Sequence, residues 1–339
     1  MWGMRRFAIA LGLAAALLTP GGADAEVAAK QLFGARSLPS AQQPASVGFY
    51  SKGCLAGGEA MPVDGPHWQA MRLSRNRNWG HPRLVAFLRW LADEAAARDG
   101  WPGLLLGDMS QPRGGPMLTG HASHQVGLDA DIWLTPMPNR RLSAAERENI
   151  SATPVVEPGP HTVHEDVWTP AHGRLIRRAA SNPQVQRIFV APGIKKKLCE
   201  TATGDRSWLA KVRPYWGHNY HMHVRLYCPQ GSPGCKPQRG TGSDDGCGAP
   251  LAWWYSKEPY APAKPSKPAP KKREITLASL PAACRNVLAA GDRPGAQTAL
   301  AAFSGEVPPA VAAKARAMRP GPAALVGLPY MPRPRPAFP

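Results

Sequence analysis

The sequence predicts an α+β domain: an antiparallel sheet that bears the functional site, flanked by helices and long loops and stapled by disulfides. Three observations lead there. Apolar runs of strand length and stretches of helical period are mixed without strict alternation. Two strand candidates, 128–134 and 221–228, carry acidic or imidazole side chains at alternate positions. Six cysteines, an even number, follow an N-terminal segment of secretory character.

Taken in order, Arg5 and Arg6, the apolar run 7–18, helix-breaking Pro20-Gly21-Gly22 and the small-residue site Ala23-Asp24-Ala25 read as a signal peptide over 1–25. That run is too short to span a bilayer, and no later segment approaches the roughly 20 apolar residues a membrane helix needs. Export to the periplasm, with no integral membrane segment after cleavage, is expected. The main domain is 26–256. Residues 26–65 are rich in turns and small residues, and Cys54 suggests that they are tied down. Leu84, Phe87, Leu88, Trp90, Leu91 and Ala95 predict a core helix over 81–98, ending before Asp99-Gly100. Leu104-Leu105-Leu106 reads as a buried strand running into the glycine-rich loop 107–115.

The next strand puts Asp129, Asp131 and Trp133 on one face and Leu128, Ala130, Ile132 and Leu134 on the other. Residues 136–168 lack periodicity and read as a long loop. Thr169 as N-cap and Pro170 in the first turn predict a helix over 170–181, followed by a strand over 187–191, a short helix over 194–202 and the strand 221–228. A Pro/Lys-rich linker follows over 257–273, then a small helical segment over 274–302 that contains Cys284. The Pro/Ala-rich tail, 303–339, has little capacity to build a core and is expected to be disordered.

The formal net charge of +18 would suit nucleic acid, but export redirects it to an anionic envelope polymer such as peptidoglycan. Part of that charge, Lys264, Lys267, Lys271, Lys272 and Arg273, belongs to the solvated linker.

The chemistry concentrates in His121-Ala-Ser-His124, in Asp131 seven positions beyond His124, and in His218-Asn-Tyr-His221-Met-His223. Histidine, aspartate and histidine are nitrogen and oxygen ligands for a zinc ion that keeps a fourth position for water. His221 and His223, two apart on a strand, share a face, so one can ligate while the other handles protons. His67, His81 and His172 read instead as surface, capping or core residues. Ser110 and Ser123 stand in no recognisable serine-enzyme motif and read as loop-shaping residues. Arg113 either binds a substrate carboxylate or fixes its own loop. Asp129 either orients a metal-bound histidine or is a hydrogen-bonded structural aspartate.

The pattern His124-x6-Asp131 with His221-x-His223 resembles the metallopeptidase superfamily of lysostaphin, the D-Ala-D-Ala peptidases and the hedgehog signalling domain. Within it, the runs 107–115, 120–131 and 221–226 are most similar to the penicillin-insensitive murein endopeptidase family. The resemblance covers about residues 30–290. It implies that His124, Asp131 and His223 hold a catalytic zinc, that His221 handles the proton, and that His218 lies close to the water or substrate. It also implies a second metal on His121, with His161 the first choice of partner and Glu157, His164 and Asp166 as competitors. Sequence alone leaves about 15 cysteine pairings open; the resemblance implies Cys54–Cys284, Cys199–Cys247 and Cys228–Cys235. The activity it implies is zinc-dependent cleavage of peptidoglycan cross-links. A D-Ala-D-Ala carboxypeptidase or dipeptidase, or a noncatalytic wall-binding scaffold, are the alternatives.

Overall fold

Residues 27–157, 162–261 and 274–318 are described in the computed structural model. The expected signal peptide, residues 262–273 of the linker, residues 319–339 of the tail and His161 lie outside them. The strands in chain order are β1 (Ala45–Phe49), β2 (Lys52–Ala56), β3 (Glu59–Ala60), β4 (Asp64–Gly65), β5 (Trp68–Ala70), β6 (Trp79–Gly80), β7 (Leu104–Leu106), β8 (Asp129–Trp133), β9 (Val185–Val190), β10 (Val212–Pro214) and β11 (His221–Leu226). The helices are α1 (Ala29–Gly34), α2 (Pro82–Arg98), α3 (Ala144–Asn149), α4 (Pro170–Ser181), α5 (Pro192–Thr201), α6 (Ala249–Ala252), α7 (Ala283–Ala289) and α8 (Pro309–Ala317).

A seven-stranded sheet, in the order β10-β9-β11-β8-β7-β5-β4, organises the molecule. It is antiparallel through β9, β11, β8 and β7, the strands beside the site, while β10 on β9 and β5 on β7 are parallel pairs farther out. Alternation along β8 and β11 divides the two faces. Ala130, Ile132, Met222 and Val224 join the core against Leu84, Leu88 and Leu91 of α2 and Leu175, Ile176 and Ala179 of α4. Each fully buried aliphatic side chain of this kind contributes roughly 1.5–3 kcal/mol. Asp129, Asp131, His221, His223 and Arg225 take the opposite face. The register then makes cross-strand neighbours of Asp131 and His223, and of Asp129 and Arg225.

The helix ends follow local chemistry. His81 caps α2 by accepting from Arg83 N at 3.2 Å, with Pro82 in the first turn. In α4, His172 Nδ1 accepts from Thr169 N at 3.0 Å and Nε2 lies 3.0 Å from Leu134 O, so this histidine both caps and packs in the core. His67 remains at the surface beside Asp93.

Two loops expected from the sequence carry more structure. Within 136–168, Ser143 and Glu146 form a reciprocal capping box that starts α3. Within the tail, α8 starts at Pro309, is built largely of alanine and packs on the 3-10 turn Leu73–Arg75, with Val311 buried. The three disulfides are Cys54–Cys284, Cys199–Cys247 and Cys228–Cys235, the first tying α7 to β2 across a separation of 230 residues. No helix among the described residues is long and apolar enough to cross a membrane.

Candidate active site

Beyond β7 the loop 107–115 continues the ladder: Gly107 N donates to Asp131 O at 2.8 Å and Asp131 N donates to Asp108 O at 3.0 Å. This sets the buried Asp108 carboxylate beside the site. Its Oδ2 accepts from Arg77 at 2.7 Å and Arg75 at 3.1 Å, and lies 3.1 Å from His121 Nε2. Burial alone would raise its pKa, but the hydrogen bond from His121 and the charges of Arg77, His121 and Arg75 hold it well below the usual carboxylate range.

His124 is fully buried and has left-handed backbone, with φ of 67°, uncommon for a residue other than glycine. Three contacts hold it there: its N donates to Asp129 Oδ2 at 3.0 Å, its O accepts from Ser110 Oγ at 2.7 Å, and its Nδ1 lies 2.8 Å from Met109 O. The last contact places the proton on Nδ1 and leaves Nε2 as a lone-pair donor, 3.4 Å from Asp131 Oδ1. Ser110 is thereby a loop-shaping residue.

Across the ladder, His223 Nδ1 lies 3.3 Å from Asp131 Oδ1 and Nε2 lies 3.1 Å from Asp129 Oδ1. Asp129 is fully buried and takes two bonds from Arg225, Nε to Oδ1 at 2.7 Å and Nη2 to Oδ2 at 3.1 Å. The Arg225 guanidinium also lies 4.1 Å from the centre of the Tyr50 ring. Asp129 is thus a hydrogen-bonded structural aspartate, and its carboxylate also accepts from the backbone of His124 and lies 3.1 Å from His223 Nε2.

His221 Nε2 lies 3.7 Å from the same Asp131 oxygen, and burial lowers its pKa. His218 stands on the loop before β11 with its ring centre 4.8 Å from that of His221. Burial, reinforced by the charges of His221 and His223, pushes its pKa down to about 3, and Nδ1 lies 2.6 Å from Trp216 O. The His218 ring is thus neutral at pH 7, and burial favours the neutral form of His221.

Asp131 thus gathers the histidines, with His121 Nε2 3.5 Å from its second oxygen. Burial would raise its pKa; the charges of His124, His221 and His121 hold it well below the usual range. His124 Nε2, Asp131 Oδ1, His221 Nδ1 and His223 Nε2 are buried without a hydrogen-bond partner among the described residues. Orphaned buried atoms of this kind are costly, and convergent imidazole and carboxylate lone pairs are what a divalent metal requires. The donor atoms of His121, His124 and Asp131 lie within 4.8 Å of one another and could hold a metal ion. An open cleft of about 260 Å³ adjoins them, lined also by Arg75, Trp133, Ser151 and Tyr220.

One expectation changes, and His121 gains a neighbour that the sequence had not singled out. Arg113 is wholly buried and donates to Leu38 O, Val287 O, Leu288 O, Ala290 O and Asp292 Oδ1, so its fork is consumed in fixing the loop to the end of α7 and is closed to a substrate carboxylate. Besides Asp131, His121 has Asp108 as an acidic neighbour, which was not among the four candidates; His164 lies 3.8 Å from Glu157. An aspartate that directly follows a buried strand and enters a glycine-rich loop beside the histidines is the signal that could have found it.

A sheet-borne cluster of histidine and aspartate, open to a cleft, defines a hydrolase-like centre, and comparison makes the class specific. The model of the family described as penicillin-insensitive murein endopeptidase matches residues 46–289, and the chain belongs to that family of peptidoglycan-cleaving peptidases. Relatives of that name include one from Haemophilus influenzae, 46% identical over 228 residues, 67% of this chain and 78% of the relative. Another, from Pectobacterium atrosepticum, is 41% identical over 83% of this chain and 95% of its own length. A third, from Klebsiella pneumoniae, is 42% identical over 72% and 85%.

Proposed function

We propose that the protein is a zinc-dependent endopeptidase that hydrolyses D-alanyl to meso-diaminopimelyl cross-links of peptidoglycan in the periplasm. The observation that carries this reading is the convergence of His124 Nε2 and His223 Nδ1, at 3.4 Å and 3.3 Å, on the one unpartnered oxygen of Asp131. These three residues would hold the ion. Zinc bound there would lower the pKa of its water to about 7 and polarise the scissile carbonyl. The protein's own part is to orient and to move protons. Met109 O holds the ring of His124, the Asp129 carboxylate lies 3.1 Å from Nε2 of His223, and the imidazole of His221 would take up the proton of the attacking water. His218, held by Trp216 O, stands beside it on the substrate side. A mechanism of this kind needs no serine nucleophile, and Ser110 is spent on His124 O.

The test is a defined cross-linked dimer followed by mass spectrometry. Conversion to monomers, lost in His223→Ala with the fold intact, is the expected result. Release of a terminal alanine without loss of dimers would instead indicate the carboxypeptidase. Binding to sacculi that salt disrupts, with no change in any muropeptide, would indicate the scaffold.

A further inference from the structure

Arg75 ends the 3-10 turn Leu73–Arg75, and both residues that bracket this turn are left-handed: Arg72 has φ of 57° and Asn76 has φ of 52°. Non-glycine residues in that region cost of order 1–3 kcal/mol each and persist where their surroundings over-determine them. Here they do. The Arg72 guanidinium is consumed by the carbonyls of Arg147, Glu148 and Ile150. Ser74 N and Oγ donate to Glu148 at 2.7 Å and 2.8 Å. Asn76 Oδ1 accepts from Trp79 Nε1 at 3.1 Å and from Ala299 N at 3.0 Å, while its Nδ2 donates to Ser37 O at 2.8 Å. Two arginines of this segment, Arg72 and Arg75, line the cleft that holds His121, Asp131 and His221, and the guanidinium of Arg72 is already spent on carbonyls.

Charge makes that delivery informative. Asp108 is already balanced by the buried Arg77 at 2.7 Å, so the bond from Arg75 Nη1 at 3.1 Å leaves a net positive charge at the cleft wall. The Arg75 side chain is 36% exposed, and Asp108 is its sole ion-pair partner among the described residues. A guanidinium in the cleft wall that spends only one nitrogen on an ion pair keeps donors for bidentate binding of a carboxylate.

We propose that Arg75 is a specificity-determining residue that binds the carboxylate carried by the residue on the amine side of the scissile bond. The inference rests on the cross-link reading above. In a D-alanyl to diaminopimelyl bond, the carbon attached to the scissile nitrogen bears a carboxylate, so the anion lies close to the reacting carbonyl. Contacts run from Arg75 through Asp108 and His121 to Asp131, which places the cation beside the candidate metal site and not on a remote surface.

The experiment compares two synthetic cross-linked dimers that differ only at that carboxylate, free acid against carboxamide, cleaved by the zinc-loaded full chain and by Arg75→Gln and Arg75→Lys. Melting temperature and zinc content are recorded for each. The expected result is a kcat/KM for the acid about ten- to hundredfold above that for the amide in the unaltered protein. That preference should collapse toward unity in Arg75→Gln and be partly retained in Arg75→Lys. Equal cleavage of acid and amide by the unaltered protein overturns the inference while leaving the cross-link reading standing. So does an Arg75→Gln variant that slows both substrates by the same factor. Failure of the folded, zinc-loaded protein to cleave either dimer overturns the cross-link reading itself.

Discussion

Arg113→Ala should cost the protein stability and leave substrate affinity alone. Arg113 Nη1 donates to Val287 O, Leu288 O and Ala290 O at 2.6, 3.0 and 2.7 Å, and these are carbonyls at the C-terminal end of α7 that the helix cannot satisfy internally. Each loses a charge-assisted bond worth about 1 kcal/mol or more, and the removed side chain leaves a void in a wholly buried position. The Asp292 pair adds little, because its carboxylate is half exposed. Together the loss is about 3–5 kcal/mol, or a melting temperature lowered by about 10 °C. Urea unfolding gives the first quantity. Steady-state cleavage of a cross-linked dimer, at a temperature where both proteins are folded, gives KM. Unchanged stability with a raised KM would refute the structural assignment and return Arg113 to the substrate.

Asp129→Asn should weaken metal affinity about 10- to 100-fold, measured by chelator competition, because it relaxes contacts to both His124 and His223 and leaves Arg225 buried and unpaired. Unchanged affinity would dismiss its orienting role. His81 has its pKa pushed down to about 4 by burial, chiefly, and by the charge of Arg83. The unfolded chain takes up that proton near pH 6.5 and the folded one only near pH 4, so stability falls as pH drops through this window, by up to about 3 kcal/mol. His81→Asn keeps a capping acceptor without the titration, and thermal melts between pH 7 and pH 4 should show a shallower loss; equal slopes would contradict the assignment. Replacing Cys54 and Cys284 by alanine should destabilise by about 5 kcal/mol, against about 2 kcal/mol for Cys228 and Cys235, since their separations are 230 and 7 residues. The reverse order in unfolding midpoints would count against a chain-entropy origin.

Much of the site was legible because strand alternation is a local property. Asp129 and Asp131, like His221 and His223, declare a shared face within a few residues, and pairing β8 with β11 then creates the cluster. What the sequence left undecided depended on distant partners. Arg113 meets carbonyls 174 to 177 positions away, in a segment that a disulfide brings back. Asp108 acquires its meaning only from Arg75 and Arg77, which share one segment, and from His121, which comes from another. The helix α3 was hidden by its brevity, six residues in a run without apolar period, although Ser143 and Glu146 carried its capping signal. For α8 the misleading feature was composition: proline and alanine read as tail, yet Pro309 in the first turn followed by an alanine-rich run is also how a helix begins.

The histidine and aspartate cluster is expected to work through a bound metal. Protein stripped by a chelator, with metal loss verified by elemental analysis and folding by circular dichroism, should leave the cross-linked dimers of isolated sacculi intact. Addition of one equivalent of zinc should restore their conversion to monomers. Full activity in the verified metal-free protein, or unchanged muropeptides after zinc is bound, would contradict the account.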